Sequence, residues 1–157
     1  MTIREATIHD LDELYRLWCE LMEMHQAYHP VFGFRRAAKV ELKRLLRDRL
    51  YESYTRIFVA EKPDGLAALL VATYQIGSKG MRLHRRGYIA ETLVETTRRR
   101  QGVGRALFHS AKTWLTTRGA DHLELQVAVA NPAAAQFWAA QGFTTTTQHM
   151  TLPLVEL

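Results

Sequence analysis

The residues best suited to chemistry lie where a predicted strand ends at Val94 and a predicted helix begins near Val103. Between and just beyond them the sequence holds two glycines and four arginines: Arg98, Arg99, Arg100, Gly102, Gly104 and Arg105. The first turn of a helix has free N–H groups and a partial positive charge. Glycine lets an anion approach the backbone closely, and neighbouring arginines strengthen its binding. The spacing therefore predicts a cradle for a diphosphate-like anion.

Two common nucleotide-binding motifs do not explain these glycines. A dinucleotide fingerprint would need a third glycine at position 107, which is Leu107 in this chain. A Walker A loop would need Gly-Lys followed by Ser or Thr, and that tripeptide is absent. The ligand is therefore expected to carry phosphates but to be held in another way.

The distribution of charge indicates the same segment. The 157 residues carry 21 basic and 16 acidic side chains, a net charge of +5. Residues 1–34 sum to −4, whereas residues 35–56 and residues 82–105 each sum to +5. The block at 35–56 is typical of a solvated helix face. The block at 82–105 surrounds the glycines, and its charge is expected to face the phosphates of a ligand.

Length and composition bound the class of protein. A chain with 47% hydrophobic and 24% charged residues is expected to form a single globular domain over 1–157. The one cysteine, Cys19, excludes an internal disulfide and is expected to pack in the core rather than act as a nucleophile. No residue spacing suggests a bound metal, a membrane span or a signal peptide. A cytoplasmic location is the resulting expectation.

The remaining sequence predicts the elements that must hold the cradle. Hydrophobic periodicity and turn residues give the order β-α-α-β-β-β-α-β-α-β. The strands are expected at about 2–7, 56–61, 66–76, 88–94, 122–129 and 143–154. The helices are expected at about 10–26, 35–51, 103–117 and 132–141. The fold class is therefore mixed α/β, with one sheet and helices on its faces.

Two blocks of this sequence resemble the GNAT superfamily of acetyl-CoA-dependent N-acetyltransferases. Val94 followed by Arg99-Arg100-Gln101-Gly102-Val103-Gly104 looks like the family's pyrophosphate motif, R/Q-x-x-G-x-G/A after an apolar strand residue. The second block resembles the pattern N-x-x-A-x-x-(apolar)-(aromatic)-x-x-x-G-F, at Asn131, Ala134, Phe137, Trp138, Gly142 and Phe143. The close resemblance covers about 88–143. It implies a mostly antiparallel central sheet with one splayed pair of strands.

The resemblance further implies a site for acetyl-CoA, the acyl donor of that family. Backbone N–H groups from Gln101 to Arg105 would hold the pyrophosphate, and the backbone of Leu93 and Val94 would pair with the pantetheine arm. Asn131 would form a hydrogen bond near that arm. The implied cofactor-binding residues are Leu93, Val94, Arg99, Arg100, Gln101, Gly102, Val103, Gly104, Arg105, Asn131, Ala134, Phe137 and Trp138.

The chemistry that the resemblance implies is direct transfer of an acetyl group to a primary amine of a small molecule or peptide. An amine is mostly protonated at neutral pH, so Glu91 is the candidate general base, with a substrate anchor or a solvated carboxylate as alternatives. Trp138 stands where many members carry a tyrosine that protonates the leaving thiolate, and indole cannot supply that proton. Water, Tyr88 or His149 are the alternatives for this step.

The acceptor and the competing functions stay open. In the family the first two helices, their connecting loop (here 25–32) and a hairpin at 77–87 shape the acceptor site. The acidic first helix would suit a cationic acceptor, although pairing of Glu20 and Glu23 with the basic second helix is the simpler expectation. The alternatives are an acyl-CoA-binding sensor that performs no transfer and a basic nucleic-acid-binding domain. Neither a nucleic acid nor a membrane is the expected partner, and a homodimer and a longer acyl donor are left open.

Overall fold

The computed structural model describes residues 1–157, and the chain follows the expected order of elements as far as the last strand. The strands are β1 (Thr2–Glu5), β2 (Thr55–Lys62), β3 (Gly65–Ile76), β4 (Arg85–Val94) and β5 (His122–Leu125). The helices are α1 (Leu11–Tyr28), α2 (Lys39–Tyr51), α3 (Val103–Arg118) and α4 (Pro132–Ala140). None of these helices combines the length and the apolar character needed to cross a membrane.

The five strands form one mixed sheet in the order β1-β2-β3-β4-β5. The first four strands are antiparallel, and β5 runs parallel to β4. The β4–β5 ladder covers only the pairs from Arg86–His122 to Ile89–Leu125. Beyond Ile89 the two strands diverge, so the second half of β4 has no partner on that side. The mixed α/β class that the sequence predicts and the splayed pair that the resemblance implies are confirmed.

A β-bulge lies in β4 where the divergence begins. Ile89 is opposite Ala72 and Glu91 is opposite Val71, which leaves Ala90 without a partner on β3. A bulged strand bends and twists more strongly than a regular one. The alternation of side chains is also interrupted, because Ile89 packs in the core under α3 whereas Leu93, four residues later, packs in the core under α1. The bulge therefore orients the next residue, Glu91, toward the α1 and α2 face.

Two hydrophobic cores hold the helices against opposite faces of the sheet. One core, on the α3 and α4 face, is built around Leu107, Ala111 and Leu115 from α3, which are all fully buried. The other, on the α1 and α2 face, is built around Leu14 and Leu17 from α1. Burial of large aliphatic side chains stabilises each layer by roughly 1.5–3 kcal/mol per residue. The sheet therefore lies between two layers of helices, each packed on its own hydrophobic core.

The predicted strand at 143–154 is wrong. Residues after Phe143 form no strand, and every side chain from Thr144 to Leu157 is exposed. Threonines at 144–147 favour an extended backbone but offer no apolar face to bury, and Pro153 lacks the N–H that a ladder needs. Three boundaries also differ by three residues or more. β4 begins at Arg85 rather than near 88, β5 ends at Leu125 rather than near 129, and α2 begins at Lys39 rather than near 35, after a single turn of 3₁₀ helix.

A cluster of charges fixes the start of β5. His122 lies between two carboxylates, with Nδ1 at 2.7 Å from Asp121 and Nε2 at 2.6 Å from Glu124. Burial opposes the positive charge of His122, but the hydrogen bonds to Asp121 and Glu124 outweigh it, and the pKa of His122 is raised above its usual 6.5. The same contact lowers the pKa of Asp121 to about 2, and the backbone N–H groups of His84 and Arg85 add to that effect.

The raised pKa of His122 predicts a pH-dependent stability. A raised folded-state pKa contributes stability that is fully present below the unfolded pKa and is lost as the pH rises through the folded value. We expect the Tm difference between the wild type and His122→Gln to be larger at about pH 6 than at about pH 9. Thermal unfolding across this range tests the expectation. A Tm difference that is constant with pH would show that the proton on His122 contributes nothing.

Candidate active site

The main cavity of the protein has a volume of about 920 Å³ and opens where β4 and β5 diverge. Residues from α1 line one end, and residues from the N-terminus of α3 and from α4 line the other. Since α1 and α3 lie on opposite faces of the sheet, the cavity passes through the sheet at the splayed pair. Its size is typical of a small-molecule site.

Thirteen of the predicted site residues line this cavity: Glu91, Leu93, Val94, Arg99, Arg100, Gly102, Val103, Gly104, Arg105, Asn131, Ala134, Phe137 and Trp138. Gln101 does not line it; its side chain is exposed and donates to the Thr97 carbonyl at 3.3 Å. The two sequence blocks are 27 residues apart between Gly104 and Asn131, and the fold brings them to one wall.

The loop before α3 has the geometry of an anion cradle. Gly102 is the N-cap of α3 with a φ of 80°, and a Cβ added there would meet no atom within 4 Å. A side chain at Gly102 would therefore extend into the open space of the cradle. At Gly104 an added Cβ would lie 3.4 Å from Cζ of Phe137, which is an ordinary van der Waals contact and places the start of α3 beside α4. The free N–H groups of the first turn of α3 and the neighbouring arginine side chains therefore lie at the same end of the cavity.

The open edge of β4 presents polar groups to the cavity. The Glu95 N–H donates to the Ala67 carbonyl on β3 at 2.8 Å. Because backbone groups alternate in direction along a strand, Leu93 also faces β3, whereas Thr92 and Val94 face the open edge. Thr92 lines the cavity, and its hydroxyl is buried and has no hydrogen-bond partner. The backbone role that the resemblance implied for Leu93 is therefore available to Thr92 instead.

Arg99 connects this edge to α1. Its Nε donates to the Val94 carbonyl at 2.9 Å, and its Nη2 lies 3.3 Å from the sulfur of Met24. The Val94 carbonyl is thus occupied by a side chain, while the Val94 N–H remains directed into the cavity. The sequence placed Arg99 in the cradle but gave no sign of its contact with α1.

Glu91 forms an ion pair that the sequence did not predict. Nη1 of Arg49, on α2, donates to both carboxylate oxygens of Glu91, at 2.8 and 2.9 Å. The Glu91 side chain is only 16% exposed. It is therefore not the solvated carboxylate that the sequence left open. Arg49 lies in the basic block at 35–56, but no local spacing links it to a residue on β4.

Neither side chain that the sequence left open for protonating a leaving thiolate, Tyr88 or His149, lines the cavity, whereas Trp138 does. The Trp138 ring is 8% exposed and packs edge-on against Phe108 and Phe137. Tyr88 does not line the cavity, Arg86 stacks on its ring at 4.4 Å, and burial raises the pKa of its phenol. His149 lies in the exposed C-terminal segment. Cys19 is buried in α1 and does not line the cavity either.

The α1 end of the cavity is apolar. Its lining consists of Leu21, Met22, Met24, His25 and Tyr28. The resemblance implied that the first helix and the loop at 25–32 shape the acceptor site, and these five residues belong to those two segments. The hairpin at 77–87, which was also expected to shape this site, contributes no lining residue.

The acidic side chains of α1 are engaged elsewhere. Glu23 pairs with Arg36, Asp12 pairs with Lys43, and Glu20 lies 3.9 Å from Arg16. None of these carboxylates lines the cavity. The expected pairing with the basic block at 35–56 thus holds for Glu23, whereas Glu20 pairs within α1.

This chain matches the model of one protein family, and several solved structures have a similar fold. The model of the acetyltransferase (GNAT) family matches residues 13–143. No curated protein is a significant sequence match. A point mutant of the BH1408 protein from Bacillus halodurans is 26% identical, with a TM-score of 0.86, over 99% of this chain and 100% of that one.

Two aminoglycoside acetyltransferase structures also superpose on the chain. The aminoglycoside 6'-N-acetyltransferase AAC(6')-IG from Acinetobacter haemolyticus is 18% identical with a TM-score of 0.78, over 99% of each chain. AAC(6')-Iy in complex with a CoA-containing bisubstrate analogue is 16% identical with a TM-score of 0.77, over 97% of this chain and 96% of that one. At these identities the similarity shows a shared fold.

Proposed function

This chain belongs to the GNAT acetyltransferase family, and from that membership we propose that it transfers the acetyl group of acetyl-CoA to a primary amine. The proposal treats residues 1–157 as one acetyltransferase domain. The observation that carries it is the cavity through the sheet, which has an anion cradle at one end and a carboxylate facing the other. A donor and an acceptor could thus enter from opposite faces and meet at the open edge of β4.

The donor end fits acetyl-CoA, the acyl donor that this family uses. The N–H groups at the start of α3, together with Arg99 and Arg100, would hold the pyrophosphate. The Val94 N–H and the unpartnered Thr92 hydroxyl would bond the amide groups of the pantetheine arm. Asn131 caps α4 by accepting from the Ala134 N–H at 3.2 Å, so its side-chain NH₂ is left to donate to the same arm.

The acceptor end supplies a carboxylate for proton removal. Glu91 would accept a proton from the acceptor ammonium, through a water where the two do not touch, and the free amine would attack the thioester carbonyl. The new C–N bond forms, the nitrogen releases its second proton to water, the C–S bond breaks, and the CoA thiolate leaves. A thiol with a pKa near 8.5 is a good leaving group and can take its proton from water. Arg49 would hold the Glu91 carboxylate in place by its two hydrogen bonds.

A second candidate function is acyl-CoA binding without transfer. It is favoured by one observation, the presence of Trp138 where a proton-donating tyrosine would be expected. The indole packs among phenylalanines and cannot deliver a proton to a thiolate. In this case the protein would bind the acyl-CoA without transferring its acetyl group.

A thiol-release assay separates the two functions. The protein is incubated with acetyl-CoA and a panel of monoamines, polyamines, amino acids, aminoglycosides and peptides, and free CoA is measured. Release that depends on an amine supports the transferase. Thermal stabilisation by acetyl-CoA without release supports the sensor, and the absence of both effects would overturn both proposals.

A further inference from the structure

The cavity contains a single carboxylate among its lining side chains, that of Glu91. Its charged lining is otherwise basic: Arg98, Arg99, Arg100 and Arg105. These arginines lie just before α3 or in its first turn, where the proposed function places the phosphates of the donor, and Arg99 also reaches Met24 on α1. At the acceptor end, Glu91 is therefore the one negatively charged side chain that a bound cation can contact.

That one carboxylate already has one cationic partner. Arg49 donates to both of its oxygens, and the pair is mostly buried. Burying a charged group without a partner is strongly unfavourable. Glu91 can serve one ammonium, but each further ammonium of the same ligand would find no carboxylate inside the cavity.

The α1 side of the same cavity is suited to an apolar ligand. It consists of Leu21, Met22, Met24 and Tyr28, with His25 held at 2.9 Å by the Leu21 carbonyl. Methionine side chains adapt to irregular apolar shapes, and tyrosine offers a flat aromatic face. The acidic residues of α1 do not change this surface, because none of them lines the cavity.

Resting on the proposed function, we infer that the acceptor carries one amine on an apolar or aromatic body. The ammonium meets Glu91, and the body packs against the α1 wall formed by Met22, Met24 and Tyr28. Polycations such as aminoglycosides and polyamines are poor acceptors for this protein, although its fold is shared with aminoglycoside acetyltransferases.

Kinetics with matched amines test this inference. We expect kcat/KM for 2-phenylethylamine to exceed that for spermidine and for kanamycin by at least about tenfold. A higher kcat/KM for either polycation would overturn the inference and leave the proposed function intact. Failure of every amine to release thiol, with acetyl-CoA bound, would overturn the proposed function and this inference with it.

A charge added to the α1 wall provides a second test. Tyr28→Glu places a carboxylate at the cavity rim, and Tyr51→Glu is the matched control because Tyr51 also ends a helix but is 71% exposed and outside the cavity. We expect Tyr28→Glu to raise the spermidine-to-phenylethylamine ratio of kcat/KM about tenfold and Tyr51→Glu to leave it unchanged. Equal ratios in both variants would contradict the assignment of this wall. If Tyr28→Glu does not fold, the wild-type comparison decides alone.

Discussion

Replacing Gly102 with aspartate is expected to raise the Kd for acetyl-CoA about 100-fold. A side chain at this position points into the open space of the cradle, since no atom lies within 4 Å of an added Cβ. A carboxylate there would lie beside the phosphates. A unit charge about 6 Å from a phosphate, at an effective dielectric constant of about 20, costs roughly 2.8 kcal/mol, which corresponds to that change in Kd.

Asparagine at the same position is the matched control. Gly102 has a left-handed backbone with a φ of 80°, and asparagine and aspartate are the residues that tolerate this region best after glycine. The two variants share size and backbone strain and differ only in charge. We expect Gly102→Asn to bind acetyl-CoA at least about tenfold more tightly than Gly102→Asp in calorimetric titrations at low salt. Equal losses would assign the effect to strain, and an aspartate variant that binds normally would refute the cradle.

Replacing Glu91 with glutamine is expected to lower kcat/KM for the amine about 100-fold or more at neutral pH. Glutamine keeps the shape of the side chain but cannot accept the proton that the ammonium must lose. The Kd for acetyl-CoA should stay within about twofold, because the cradle lies at the other end of the cavity. Thiol release under steady-state conditions measures the first quantity, and thermal shift or calorimetry measures the second.

The two remaining roles of Glu91 predict different kinetics. Loss of a general base lowers kcat, whereas loss of an anchor for the ammonium raises the KM for the amine with kcat little changed. Glu61→Gln is the matched control, since Glu61 is also a strand carboxylate paired with an arginine, Arg4 at 2.8 Å, and lies outside the cavity. A kcat/KM for Glu91→Gln within about threefold of the wild type would show that Glu91 is not the base.

Local patterns were sufficient to predict most of the fold. The helix at 103–118 and the strands of the central hairpin have long, regular periodicity and clear turn residues, so their positions follow from neighbouring residues alone. The segment at 143–154 has strand-forming residues as well, but a strand also requires a partner edge, and no local pattern specifies one. The sequence therefore predicted a strand that the chain does not form.

The candidate site also has features that the sequence predicts and features that depend on tertiary packing. The cradle is a contiguous motif, and its glycines and arginines could be identified from spacing. The Arg49–Glu91 pair joins residues 42 positions apart, and which residue of α2 faces β4 depends on how the two layers pack. The choice between Leu93 and Thr92 depends on which backbone groups face β3, and that follows from the ladder rather than from residue type.

The unpaired residue Ala90 has a consequence for the balance between stability and activity. Its insertion bends β4 where the ladder with β5 ends, and the gap that results is the passage between the two faces. A shortened chain lacking Ala90 could keep every pairing with β3 and extend its hydrogen bonds to β5. We expect such a protein to melt at a higher temperature and to lose the proposed transfer activity, because the ladder would fill the space that a substrate needs. Thermal stability gained at this strand is therefore expected to come at the expense of turnover.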